Sequence, residues 1–123
     1  MNNLLPEEML CGVFSFCEQD MIHFTTHKLH KIFYKLRINP TYSNILDDFK
    51  FSGSPISPYS EVLATALFNL QYSKKITRAN PDLVKYDKTE AFKTYFENNV
   101  KKKLLEAPEV ESVLNLIAKE LTA

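Results

Sequence analysis

The sequence predicts a mostly helical α+β protein with one domain, residues 1–123. Three observations support this prediction: glycine is scarce, several segments carry apolar residues at helical spacing, and one segment has the turn chemistry of a β-hairpin. The chain has only two glycines among its 123 residues. A β-sandwich or barrel usually contains more glycine in its tight turns, so the composition favours helices.

Apolar residues recur every three or four positions along most of the chain, which is typical of helices with one buried face. Pro6, followed by Glu7 and Glu8, predicts a first helix that ends near Asp20, because proline and acidic residues suit a first turn. Further helices are predicted over residues 26–37, 42–50, 59–72, 89–105 and 108–121. Residues suited to N-capping precede three of them: Thr25 or Thr26, Ser57 or Ser60, and Thr89.

The segment between the helices at 59–72 and 89–105 predicts a β-hairpin. Residues 76–78 and 83–86 are β-prone, and the intervening Ala-Asn-Pro-Asp has turn chemistry. Residues 52–58 contain two prolines and a glycine and predict an irregular loop. We therefore expect a helical core, one hairpin, and additional helices at the N- and C-terminal sides.

Positive and negative charges balance, with 15 basic and 15 acidic side chains, but they are segregated along the chain. Residues 1–24 carry four acidic and no Lys or Arg side chains, whereas residues 25–50 and 71–88 each carry five basic and two acidic ones. A dedicated nucleic-acid-binding protein is usually basic overall. The balance therefore favours self-packing or a protein partner as readily as DNA.

The cysteines and the apolar runs indicate the compartment. The first residues lack the basic stretch of a secretory signal, and no apolar run approaches the ~20 residues needed to span a bilayer. Cys11 and Cys17 lie six positions apart, so on a helix they face apart and predict two buried thiols. We expect a cytoplasmic protein with no membrane partner.

The sequence has no catalytic motif: a phosphate-binding glycine loop, a Gly-x-Ser-x-Gly elbow and a His-Glu-x-x-His zinc motif are all absent. His23, His27 and His30 are spaced for one helical face. Together with Cys11 or Cys17 they would supply zinc ligands. His23 precedes the expected helix cap, however, and neither cysteine has metal-site spacing. We expect ordinary histidines beside a lysine-rich face, with no metal, cofactor, small-molecule substrate or enzymatic activity.

The stretch SPYSEVLATALFNLQYSKKITRANPDLVKY, residues 57–86, resembles the helix-then-wing unit of winged helix-turn-helix proteins. It contains a capped helix, paired Ala-Leu and Asn-Leu steps, and a basic step into a hairpin. The resemblance implies that residues 58–72 are the third helix of the motif and residues 76–86 its wing. It divides the chain into an N-terminal apolar helix, a winged-helix core and C-terminal helices: residues 1–25, 26–87 and 88–123. A plain helical bundle with an incidental hairpin stays open as the alternative.

In a winged helix that reads DNA, the third helix needs basic or amide side chains near its N-terminus. Here the early charge is Glu61, and no basic residue occurs before Lys74. The wing is basic and would contact phosphates without reading sequence, through Lys74, Lys75, Arg78 and Lys85. A DNA-binding transcriptional regulator or antitoxin is therefore the alternative function, and a protein-interaction subunit is the first.

In size, element order and the helix-then-wing stretch, the chain resembles the small accessory subunits of ATPases of the structural-maintenance-of-chromosomes (SMC) type. These include the middle components of bacterial anti-phage defence systems such as Lamassu. The resemblance implies an adaptor that bridges an SMC-like ATPase and an effector nuclease. The apolar first helix and an exposed tyrosine would then form the docking surface: Met9, Val13, Phe14, Phe16 and Tyr59.

Overall fold

Six α-helices and five short strands form a mixed α+β fold in the described part of the chain. The computed structural model describes residues 4–78 and 84–123. The helices are α1 (Pro6–Phe16), α2 (Thr26–Arg37), α3 (Glu61–Tyr72), α4 (Glu90–Tyr95), α5 (Lys101–Leu105) and α6 (Pro108–Leu121). A π-helical turn, Phe96–Val100, joins α4 to α5 without a break, so residues 90–105 are helical throughout.

The strands form two antiparallel sheets. They are β1 (Met21–His23), β2 (Ser52–Ser54), β3 (Ser57–Tyr59), β4 (Ile76–Thr77) and β5 (Lys85–Lys88). One sheet has the order β1-β5-β4, with Ile22 opposite Tyr86 and Thr77 opposite Asp87. The predicted hairpin is therefore confirmed as the β4–β5 pair, while its expected turn at residues 79–82 lies outside the described residues. The sequence did not predict β1, which joins this hairpin from before α2.

Local chemistry fixes the starts of three helices. The hydroxyl oxygens of Thr25, Ser60 and Thr89 accept hydrogen bonds from the backbone N–H groups of Lys28 (3.1 Å), Leu63 (3.2 Å) and Phe92 (3.2 Å). Each bond satisfies a main-chain donor that has no partner inside the helix. Because Ser60 is the cap, the helix predicted from residue 59 begins at Glu61.

The helix predicted over residues 42–50 is wrong. This segment is a series of turns with isolated main-chain bonds, such as those from Tyr42 and Ser43 to the carbonyl of Asn39, both 2.9 Å. Its serine, asparagine and aspartate side chains compete with helical hydrogen bonding, which favours turns. The segment still buries the expected apolar side chains, since Leu46 and Phe49 have no exposed surface.

The loop predicted over residues 52–58 contains more order than expected. Strands β2 and β3 pair across a tight turn, with Gly53 opposite Pro58. Gly53 has a φ of +86°, and a Cβ there would lie 2.8 Å from the carbonyl oxygen of Ser57. Glycine is therefore required at this position for both conformation and space.

Helix α1 is central to the core and packs against α3 and α6. Its completely buried apolar side chains are Met9, Leu10, Cys11, Val13 and Phe14. Gly12 permits the close approach of α6, because a Cβ there would lie 2.8 Å from Leu114 Cδ1. One buried cluster extends along the chain from Leu4 to Leu121. The segments 1–25, 26–87 and 88–123 therefore share this core, which residues 26–87 do not form alone.

Two lysines from later elements stabilise the ends of α1. Lys88 donates hydrogen bonds to the carbonyls of Cys17 (2.7 Å) and Phe14 (3.1 Å), where the helix dipole favours a cation. Burial lowers the pKa of Lys88. At the other end, Lys103 donates to both carboxylate oxygens of the buried Glu8, at 2.9 and 2.8 Å. The helix ends at Phe16, before the predicted end near Asp20, because Cys17 adopts an extended conformation.

Candidate interaction surface

The apolar face of α1 is covered inside this fold. Met9, Val13 and Phe14 have no exposed surface, since α1 packs against both α3 and α6. These three residues therefore belong to the core, which corrects the expectation that they form a docking surface. Of the other two predicted docking residues, Phe16 is half-buried and Tyr59 is 49% exposed.

Helix α3 carries a stacked aromatic pair on its solvent-facing side. Phe68 is 59% exposed and Tyr72 is 78% exposed. Their ring centroids lie 5.7 Å apart with the planes 22° from parallel, and the one-turn spacing aligns both side chains on one helical face. The inward side of α3 is buried through Leu63, Ala66, Leu67 and Leu70.

We name the outward side of α3 the aromatic face, and it carries little charge. Its residues are Glu61, Thr65, Phe68, Asn69 and Tyr72, all exposed. Glu61 is the single charged side chain in this set, and it lies in the first turn, where its carboxylate complements the helix dipole. A face of this composition suits an apolar protein surface better than a phosphate backbone.

An open groove of about 390 Å³ lies beside the aromatic face. Leu5, which is 62% exposed, and Pro6 line it from the start of α1. Val62, Thr65 and Asn69 line it from α3. Because Thr65 and Asn69 also belong to the aromatic face, the groove and that face form one continuous surface.

His30 and Tyr59 form a second ordered contact, between α2 and β3. Their rings stack with centroids 5.0 Å apart, and His30 Nδ1 accepts a 3.0 Å hydrogen bond from the backbone N–H of Ser60. That bond requires a neutral imidazole with its proton on Nε2. Burial, and secondarily the nearby His27, lowers the pKa of His30 and so favours the same neutral form. His30 therefore positions the start of α3.

Comparison with protein-family models, with curated proteins and with solved structures found no match to this chain. No helix among residues 4–78 and 84–123 is long and apolar enough to cross a membrane. The interpretation of function therefore rests on the surface itself.

Two of the four basic residues predicted to contact phosphate make local contacts, and the other two are exposed. Lys75 donates to Ser73 Oγ at 2.9 Å, and its ammonium lies 4.6 Å from the ring centroid of Tyr95. The guanidinium of Arg78 lies 5.3 Å from the ring centroid of Tyr86. Lys74 and Lys85 are exposed, on the turn before β4 and on β5. None of the four lies on the aromatic face.

The histidines and cysteines occupy separate environments. His23 is exposed on β1 and His27 is exposed on α2, whereas His30 is buried. Within the described residues, no group of three or more His, Cys, Asp or Glu side chains is arranged to hold a metal ion. Cys11 and Cys17 are free buried thiols, as their spacing predicts. Burial raises the pKa of Cys11 to about 12 and that of Cys17 to about 11, which keeps both thiols protonated.

Sequence reasoning missed Phe68 and Tyr72 as surface residues. The signal was present: the apolar stripe of α3 repeats at three and four residues, and both aromatic residues fall outside it. The apolar pattern of α1 did not show whether this helix is buried by its own chain or by a partner, because a helix that is apolar on most sides fits either case. In the structure α1 packs against α3 and α6, so it is a core helix.

Proposed function

We propose that the chain is a non-enzymatic adaptor subunit that docks a protein partner on the aromatic face of α3. The observation that carries the proposal is the stacked pair Phe68 and Tyr72, exposed by 59% and 78%. Exposed aromatic residues next to an apolar groove mark interaction surfaces, and aromatic anchors dominate binding energy at many interfaces. The groove shares Thr65 and Asn69 with the aromatic face, so a partner side chain has a place to insert beside the pair.

We further propose that the fold is a winged helix in which α3 is the third helix and β4–β5 is the wing. The segment 26–87 contains only two helices, α2 and α3, because residues 42–50 form turns, so α1 takes the place of the first helix in this assignment. With α1 included, three helices come before the hairpin, and β1 pairs with its second strand. In that motif the third helix is the element that faces the ligand. A third helix with exposed aromatic side chains, one acidic residue and no basic residue then favours a protein ligand over DNA.

The setting we propose is a bacterial anti-phage complex in the cytoplasm, where the adaptor bridges an SMC-like ATPase and an effector nuclease. The resemblance of the helix-then-wing stretch to small accessory subunits supports this setting. The two free buried thiols agree with a reducing compartment. The aromatic face would contact one of the two large subunits.

The test is a pull-down of the tagged full-length chain from its native host, with and without nuclease treatment. The variant Phe68→Ser with Tyr72→Ser is compared with Leu105→Ser, a control that alters a side chain 68% exposed on α5. The proposal predicts stoichiometric recovery of an ATPase or nuclease that survives nuclease treatment. It also predicts loss of that protein with the double variant only.

The DNA-binding alternative is favoured by one observation, the exposure of Lys74 and Lys85 on the wing. It predicts that the purified chain binds a DNA duplex with an affinity that falls steeply as salt rises, because bound counterions are released. Lys74→Glu with Lys85→Glu would then abolish binding. Salt-sensitive DNA binding, together with recovery of no protein partner, would replace the adaptor proposal with the regulator.

A further inference from the structure

A second groove lies on α2, away from the aromatic face, and it has a different chemistry. It has a volume of about 380 Å³, and its apolar lining comes from Ile32, Tyr34, Ile38 and Pro55. Ile38 is 60% exposed at the end of α2. Pro55 lies in the tight turn between β2 and β3, so this small hairpin closes one side of the groove.

Three lysines line the same groove: Lys28, Lys31 and Lys35. Their spacing of three and four residues aligns them on one side of α2 over roughly 10 Å. No acidic side chain is among the described residues that line the groove. Its rim is therefore strongly positive while its floor is apolar.

The chain compensates this charge only at its edge. Lys35 forms a 2.6 Å ion pair with Glu120, and both side chains remain partly exposed, by 63% and 31%. Lys28 donates a 3.4 Å hydrogen bond to the carbonyl of Ala123. The side chain of Lys31 is exposed, and its ammonium makes no hydrogen bond or ion pair with residues 4–78 or 84–123. Exposed ion pairs contribute little, so a partner carboxylate can replace Glu120.

We propose that this lysine-rimmed groove binds an acidic amphipathic segment of a protein partner. An apolar side chain of that segment would insert against Ile38 and Pro55, while its carboxylates would contact Lys31 and the neighbouring lysines. Charge complementarity selects this occupant. A DNA backbone would satisfy the lysines but would leave the apolar floor without a partner. The groove is distinct from the aromatic face, so the inference does not depend on docking at α3.

The test is a selection of random displayed peptides, long enough for about four helical turns, on the purified full-length chain. Enriched peptides are then titrated by fluorescence anisotropy against two variants. Lys31→Glu with Ile38→Ser alters the groove. Lys102→Glu with Leu105→Ser makes the same exchanges at exposed positions of α5. Circular dichroism establishes that both variants are folded.

The proposal predicts peptides in which Asp or Glu flank an apolar residue, with affinity reduced about tenfold or more by the groove variant and unchanged by the control. It is overturned if no peptide is enriched, if the enriched peptides are not acidic, or if both variants bind equally. Two further outcomes overturn it, both with peptide binding left intact by the groove variant. In the first, this variant abolishes binding of a random-sequence DNA duplex; in the second, it abolishes self-association measured by sedimentation.

Discussion

His30 is the residue whose charge state matters most for the link between α2 and α3. Its Nδ1 accepts the Ser60 N–H, and burial lowers its pKa below the ordinary 6.5. The unfolded chain therefore takes up a proton at a higher pH than the folded chain does. The stability that His30 contributes is complete above pH 6.5 and is lost as the pH falls toward the lower folded-state pKa.

We therefore expect the free energy of unfolding to fall as the pH is lowered from 7 through 6.5. His30→Gln should flatten this dependence, whereas His27→Gln, at an exposed position of the same helix, should keep most of it. Urea unfolding at a series of pH values measures both slopes. Identical slopes for the two variants would contradict the role of His30.

The Glu8–Lys103 pair gives a second prediction at this scale. Lys103→Met leaves the carboxylate of Glu8, whose side chain is 6% exposed, without its nearest cation. We expect a loss of about 1–3 kcal/mol in the free energy of unfolding, because the buried carboxylate loses its charged donor and keeps the neutral one from the Leu5 N–H. Lys102→Met, one position earlier and exposed, is the matched control and should have almost no effect. Equal losses for the two variants in urea unfolding would show that the pair contributes nothing.

At the scale of elements, α1, which the sequence predicted as a docking surface, lies in the core, whereas α3 carries exposed aromatic side chains. Phe14 on α1 is completely buried and stacks 5.5 Å from Phe24, whereas Phe68 on α3 is 59% exposed. We expect Phe14→Ala to lower the free energy of unfolding by about 3–5 kcal/mol. Phe68→Ala should change it by no more than about 0.5 kcal/mol, because it removes little buried surface. Thermal or urea unfolding of the two variants measures the difference.

Phe68→Ala, which should hardly change the free energy of unfolding, should weaken the binding of a partner. If Phe68 is buried in a complex, its loss removes about 1.5–3 kcal/mol of binding free energy, equivalent to about a tenfold to hundredfold weaker affinity. Once the partner is recovered, calorimetric titration with Phe68→Ala and Leu105→Ala measures this effect. A large loss with Leu105→Ala, and none with Phe68→Ala, would move the docking site to α5.

Elements that are fixed by short-range chemistry were predictable from the sequence. The caps at Thr25 and Thr89 and the proline starts at Pro6 and Pro108 all lie where the pattern indicated. Elements that depend on distant partners were not predictable. Strand β1 has three residues, of which only Ile22 is buried, so the segment is too short to show the alternating pattern of a strand. Its extended structure depends on pairing with β5. The turns over residues 42–50 carry a helix-like apolar spacing in a sequence that favours turns.

At the scale of the whole molecule, the balanced net charge conceals two surfaces of different character. The groove between α1 and α3 is bordered by Glu7 and Glu61, whereas the groove on α2 is bordered by three lysines. The segregation of charge along the chain agrees with this difference only in part: Glu7 belongs to the purely acidic stretch before residue 25 and the three lysines to the basic stretch 25–50, whereas Glu61 lies outside both. The positions of the grooves depend on tertiary packing, which no periodicity in the sequence encodes. Two surfaces of unlike chemistry agree with the proposed adaptor function.

The most direct test of the adaptor account is site-specific photocrosslinking in the native host, with a benzophenone amino acid at position 68 or at position 105. Both positions are exposed on helices, by 59% and 68%. The account predicts that position 68 crosslinks to one large protein, identified by mass spectrometry as an ATPase or nuclease, and that the adduct survives nuclease digestion. Position 105 should give no such adduct. Crosslinks from position 68 to DNA alone, or to no macromolecule, would contradict the claim that α3 docks a protein.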